Sequence, residues 1–386
     1  MVGLLQRLRR ARLASRVLKR LRRAGLADSH YDARTFQIRF VTPSEAAPSE
    51  AAPSEAAPGE VAPGEVAPGD GNVPTIIELA PLLATPGRRR LDEYVAGLLL
   101  TPELPHSWSE VKPLLRPVLR GATPGSPLRR PVLPYLSEFV VVDQPDTMTY
   151  TSAAQLAAWN VTADQVFAAA RANLTGAVLQ GRATEPVIVQ FVDDGDAYWT
   201  SHLLLPHWLE RLADQVGGVP VAFAPERGTL LVTADGSEHL PGLFARAEQI
   251  YTTSSRPITP MAYLSDENGC PKPYAAPEGH RLHRAVQRAE RVLALHEYAR
   301  QAAHISNAAA LRLTGDELSG WRTQALWPKD GPTLLPTADE VQTGTAVHPW
   351  RSLAPHLTRA PDLDPPRWEA TRWPMDNGRD TSDPAS

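Results

Sequence analysis

Residues 43–71, PSEAAPSEAAPSEAAPGEVAPGEVAPGDG, set the first limit on what this chain can fold into. A five-residue unit led by proline recurs through the stretch, with an acid two places after each proline. Proline lacks the backbone N–H that a helix needs and clashes with the preceding turn, so six of them at this spacing exclude a helix. Ala, Ser, Gly and Glu between them supply too little apolar surface to build a core. The segment 42–72 therefore reads as a partly polyproline-II linker carrying six acids and no base, inserted between two parts of one domain.

The segment before it has the opposite charge. Residues 2–25 predict one helix, with Leu4, Leu8, Ala11, Ala14, Val17, Leu18 and Leu21 on one half of the wheel and Arg9, Arg12, Arg16, Lys19, Arg20 and Arg23 on the other. Such a helix either packs its apolar face on the domain or lies on an anionic membrane surface. The strand pattern TFQIRFV follows at 35–41, which favours packing. Over the whole chain 39 Lys and Arg face 43 Asp and Glu, a balance that argues against a nucleic-acid partner. The single cysteine, Cys270, allows no internal disulfide, and no apolar run reaches the roughly 20 residues of a membrane span. A cytoplasmic protein is expected.

Further along, helices are predicted near 76–84, 88–100 and 107–120, and strands at 138–143 and 147–151. Two capped helices follow between 151 and 174. A strand at 187–192 leads to a helix at 197–216, then to a hairpin turning at PERG and a helix at 239–252. A long Arg-rich helix at 280–300 precedes two strands around TGDELSG and a third near 338–343. From 346 to 386 the sequence is rich in Pro, Asp, Arg and Trp without periodicity, and a disordered tail is expected. Helices and hairpins mix without strict alternation, which predicts an α+β fold: a mixed or antiparallel sheet with packed helices, plus a C-terminal helix and β-hairpin extension over 266–345.

Three ordered stretches, FVVVDQPDTMTYTSAAQLAAWNVTADQVFAAARANL, DDGDAYWTSHLLLPHWLERLADQVGGVPVAFAPERGTLLV and AEQIYTTSSRPITP, resemble the YtpQ-like proteins, a bacterial family of unknown function. The opening helix, YDARTFQIRF and SWSEVKPLLRPVLR fit the same order. The resemblance covers about 5–41 and 73–262 and implies one α+β domain over 1–41 and 73–265 in a soluble bacterial protein. It implies no activity and no catalytic residue. The repeat, the C-terminal extension and Gly228 in PERG depart from the family pattern.

Candidate site residues are few. Asp193, Asp194 and Asp196 end one predicted strand and Asp143 another, and converging carboxylates suit a hard divalent cation. The competing reading makes Gly195 a turn residue and Asp196 the cap of the next helix. Arg227 at a hairpin tip and Trp350, Trp368 and Trp373 in the tail are candidate contacts for a protein partner. No phosphate loop, dinucleotide fingerprint, nucleophile elbow or zinc-protease motif occurs, so no cofactor and no defined metal site are expected. The leading reading is a non-enzymatic binding or adaptor protein. A metal-dependent hydrolase or transferase using the acidic cluster, and membrane association through the first helix, are the alternatives.

Overall fold

The computed structural model describes residues 2–23, 29–33, 36–41, 74–79, 104–121, 127–144, 147–174, 181–192, 198–303, 305–328, 332–361 and 363–371. Its elements are α-helices and several antiparallel and mixed sheets, an α+β fold. The chain forms two compact units: Met1–Arg116, Thr123–Leu128 and Val140–Asn173 in the first, and Pro117–Ala122, Arg129–Phe139 and Leu174–Ser386 in the second. The repeat lies outside the described residues.

The first unit opens with helix α1, Val2–Arg23. Strands β1 (His30–Asp32), β2 (Gln37–Val41) and β3 (Pro74–Glu78) form an antiparallel sheet. Ala14, Val17 and Leu21 of α1 are buried with Phe36, Ile38 and Leu79. The part of the apolar face nearest the sheet is thus covered by the protein itself, and the membrane reading loses that part of its anchor. Residues 76–78, predicted helical, are instead strand: the PTIIE segment pairs along β2 from Val41↔Pro74 to Gln37↔Glu78. The predicted helix at 88–100 lies outside the described residues.

SWSEVKPLLRPVLRG also differs from expectation. It gives a single helical turn, α2 (Trp108–Val111), held by a Ser107–Glu110 capping box, and then strand β4 (Leu115–Arg120). Pro113 can sit in the first turn of the short 3-10 segment that follows α2, but Pro117 would break any longer helix. Strands β5 (Arg129–Leu133), β6 (Leu136–Gln144) and β7 (Thr147–Tyr150) follow. Strand β6 pairs with β5 through its first half and with β7 through its second. In β6, Glu138 is fully buried and accepts the Arg130 Nε–H of the facing strand at 2.6 Å. Helices α3 (Ala153–Trp159) and α4 (Ala163–Ala172) bury Leu156, Trp159, Val166 and Phe167 against Val140 and Val142.

The second unit contains strand β8 (Val189–Val192), the one-turn helix α5 (Ala213–Val216), and strands β9 (Pro220–Glu226) and β10 (Thr229–Ala234). Helix α6 (Leu240–Thr253), β11 (Ala262–Ser265) and β12 (Pro271–Pro273) follow. The sheet order is β12-β11-β9-β10-β8, all antiparallel. Residues 197–216 do not make one helix. Two 3-10 turns, Trp199–Leu204 and Leu209–Leu212, precede α5. They are separated by Pro206 and by His207 at φ +61°, a left-handed position that no α-helix continues through.

Helix α7 (His283–Ala302) and its N-cap Leu282 place Leu282, Val286, Ala289, Val292 and Leu293 in the same core as Phe223, Leu231, Phe244 and Tyr263. Residues 282–293, in the segment expected as a C-terminal extension, thus share a core with this sheet. Strands β13 (Ala310–Thr314), β14 (Arg322–Trp327), β15 (Thr333–Pro336), β16 (Glu340–Thr343) and β17 (Ala346–Pro349) come next. Helix α8 (Trp350–Leu353), β18 (Thr358–Arg359) and β19 (Arg367–Ala370) close the described chain. They form the sheets β13-β14-β16-β17 and β15-β19-β18. The expected disordered tail is corrected over 346–371. Strand β17 pairs with β16, and β19 lies between β15 and β18.

Candidate functional site

The Arg-rich face of α7 is where the second unit gathers its charge. Arg284, Arg288 and Arg291 recur at helical spacing, opposite the buried stripe. Arg288 forms a two-pronged pair with Glu248 of α6, both bonds 2.6 Å, and its guanidinium lies 4.1 Å from the centre of the Trp321 ring. Burial of such a fork between a carboxylate and an aromatic face is the geometry that favours Arg over Lys.

Arg291 forms the second fork. Its Nε–H and Nη2–H donate to the two oxygens of Asp339, at 3.2 and 3.0 Å. Asp339 Oδ2 also accepts the Thr323 amide at 2.7 Å and the Thr323 hydroxyl at 2.9 Å. Asp339 therefore cross-links α7, β14 and the segment leading into β16, and the register Gln324↔Glu340 of the parallel β14–β16 pair follows directly after it. A parallel pair cannot be set by a tight turn, so a side-chain lock of this kind helps fix its register.

Two clefts are lined by this pair. One, of about 520 Å³, is lined by Gln287, Arg322, Glu340 and the edge strand residues Val347–Pro349. The other, of about 310 Å³, draws its lining from six separated stretches of chain: Pro134 and Tyr135, Met261, Pro273, Glu290–Ala294, Thr323, and Thr337–Asp339. Tyr135 occupies the second place of a two-residue turn between β5 and β6, at φ +62°. That place favours Gly or Asn, and a tyrosine there is held at a cost of roughly 1 kcal/mol. Its ring meets that of Tyr298 edge-on at 6.1 Å.

Burial raises the Tyr135 hydroxyl well above the ordinary phenol range, with the nearby Tyr298, Asp339 and Glu290 adding to the effect. Glu290 is half-exposed, yet its carboxyl is also raised, first by burial and then by the Asp339 charge, while Arg291 and His283 act against them. The nearest Arg291 nitrogen is 3.6 Å from Glu290, beyond hydrogen-bond reach.

The residues singled out in the sequence lie elsewhere. Asp143 sits near the end of β6, half-buried and opposite Met148. Asp193, Asp194 and Asp196 lie outside the described residues, as does Trp373. Arg227 is at the β9–β10 turn with its amide bonded to Arg256 O, while Glu226 accepts hydroxyls from Thr229 and Ser254. Trp350 and Trp368 pack against each other with ring centres 6.2 Å apart, and Trp368 Nε1–H donates to Thr337 Oγ1 at 3.0 Å. Both belong to the folded unit, each partly exposed. Among the described residues no group of three or more His, Cys, Asp and Glu is arranged to hold a metal ion.

Tyr135, Glu290, Arg291 and Asp339 were not singled out in the sequence. The Arg periodicity of α7 was the one visible signal, and it named neither the partner acid 48 residues away nor the turn that completes the cleft. Comparison of the chain with family models, curated proteins and solved structures found no match.

Proposed function

We propose that the protein is a non-enzymatic binding protein of YtpQ-like type, working in the cytoplasm, and that the 310 Å³ cleft beside Arg291 and Asp339 is its ligand site. The observation that carries this reading is the convergence of six separated stretches of chain on one cleft with a fixed guanidinium–carboxylate pair in its wall. Ligand sites join a mostly apolar wall to a few convergent polar groups, and this cleft has that make-up. Its polar groups suit recognition. Asp339 is engaged by four donors, and the Thr323 hydroxyl is turned onto it. The resemblance to a family without an assigned activity is in keeping with the reading.

A thermal-shift screen of small cations, anions and neutral compounds against the full chain and against Ala294→Leu tests it. Ala294 lines the cleft with little exposure, so the larger side chain fills the space. Compounds that stabilise the wild-type chain and not the variant are expected. Equal shifts for both proteins, or none for either, would remove the cleft from the account.

A further inference from the structure

Building on the ligand-cleft reading, we propose that the cleft takes an organic cation, a guanidinium or alkylammonium group on a short apolar stem. The charge around the cleft decides the sign. Its facing acids are Glu290 and Asp339, its base is Arg291, and His283 stands two turns earlier on α7. Arg291 and Asp339 neutralise each other through two paired bonds. One carboxylate, Glu290, remains in excess: its ion-pair contact with Arg291, at 3.6 Å, is beyond hydrogen-bond reach and shares a guanidinium already forked onto Asp339. An anion entering here would meet that charge across a partly desolvated wall. A cation with N–H donors would donate to that carboxylate.

The rest of the lining fits the same ligand. Tyr135 offers a ring and a hydroxyl beside the carboxylate, and aromatic faces attract cations within about 6 Å. The Tyr135 ring is packed edge-on against Tyr298, which holds it beside the cleft. Pro134, Met261, Pro273 and Ala294 form the apolar wall that a stem would follow. At about 310 Å³ the cleft lies at the small end of ligand pockets, the scale of one side chain or one short amine. The group can therefore come from a free small molecule or from an Arg or Lys side chain of a partner protein.

Calorimetric titration of the full chain distinguishes these outcomes, with n-butylguanidinium, its neutral analogue n-butylurea, the anion pentanoate and the peptide Gly-Arg-Gly as probes. Butylguanidinium is expected to bind, butylurea more weakly and pentanoate not at all, and Glu290→Gln should weaken butylguanidinium about tenfold. A peptide that binds more tightly than butylguanidinium identifies the partner side chain as the source, and the reverse order identifies a free cation. Equal affinity in wild type and Glu290→Gln would overturn the inference. If pentanoate binds instead and Ala294→Leu abolishes that binding, the cation inference fails while the cleft reading stands. Absence of heat from every probe would overturn both.

Discussion

Arg367 is fully buried, and its bonded acceptors among the described residues are uncharged. They are Gln301 Oε1 at 2.6 Å and the carbonyls of Ala309, Leu334 and Tyr298 at 3.0, 2.9 and 3.0 Å. Burial lowers its pKa, yet a guanidinium starts so high that it keeps its charge. Its fork joins β19 to the end of α7, to β15 and to Ala309 just before β13. Arg367→Ala should lower unfolding stability by about 3 kcal/mol in a urea titration, because it strands several buried acceptors at once. An unchanged midpoint would show that the fork is redundant. Nothing in RWEA at 367–370 marked this residue, since its partners are 33 to 69 positions away.

The acid at 290 makes a second residue-level prediction. Its folded carboxyl is raised above the ordinary 4.5, so the folded chain holds the proton more tightly than the unfolded one. Its contribution is therefore most favourable at acid pH and is lost as pH rises from 4.5 through the raised value. Glu290→Gln should flatten that decline in thermal unfolding curves. A steeper decline in the variant would contradict the assignment.

Elements with local signals were legible. Thr162 caps α4 and closes a box with Gln165, as the spacing predicts, and Thr162→Ala should cost about 1 kcal/mol. Loss of helix stability well below that figure would mean tertiary contacts alone hold α4. The Asn160 left-handed cap that ends α3 and the Arg227–Gly228 turn of the β9–β10 hairpin lie where short-range chemistry puts them. Elements decided by distant partners were not legible. PTIIE is strand because β2 lies beside it, and 197–216 breaks because His207 adopts a left-handed conformation whose amide bonds Gly269 O. A pattern of apolar positions at helical spacing cannot report either fact.

At the scale of the molecule, the Pro, Asp and Arg content after 346 suggested disorder, and packing overrode it. Leu353 and Ala370 join Trp327, Leu335 and Val341 in one core. A chain ending at residue 345 should therefore unfold at lower temperature than the full chain and bind an apolar dye, having lost β17 and β19. Indistinguishable melting would restore the dispensable tail. The α+β class was legible because it needs only the mixture of element types. The cleft was not, because it exists only where the turn at Tyr135, the face of α7 and the strands after 320 meet.

The most direct measurement is the affinity for n-butylguanidinium as a function of pH. The groups that face Glu290 are Arg291 and His283 on its own helix, Asp339 before β16 and Tyr135 on the β5–β6 turn. Affinity is predicted to rise as Glu290 loses its proton above 4.5, to level off once it is ionised, and to lose that rise in Glu290→Gln. A pH-independent affinity, or the same rise in the variant, would contradict the account.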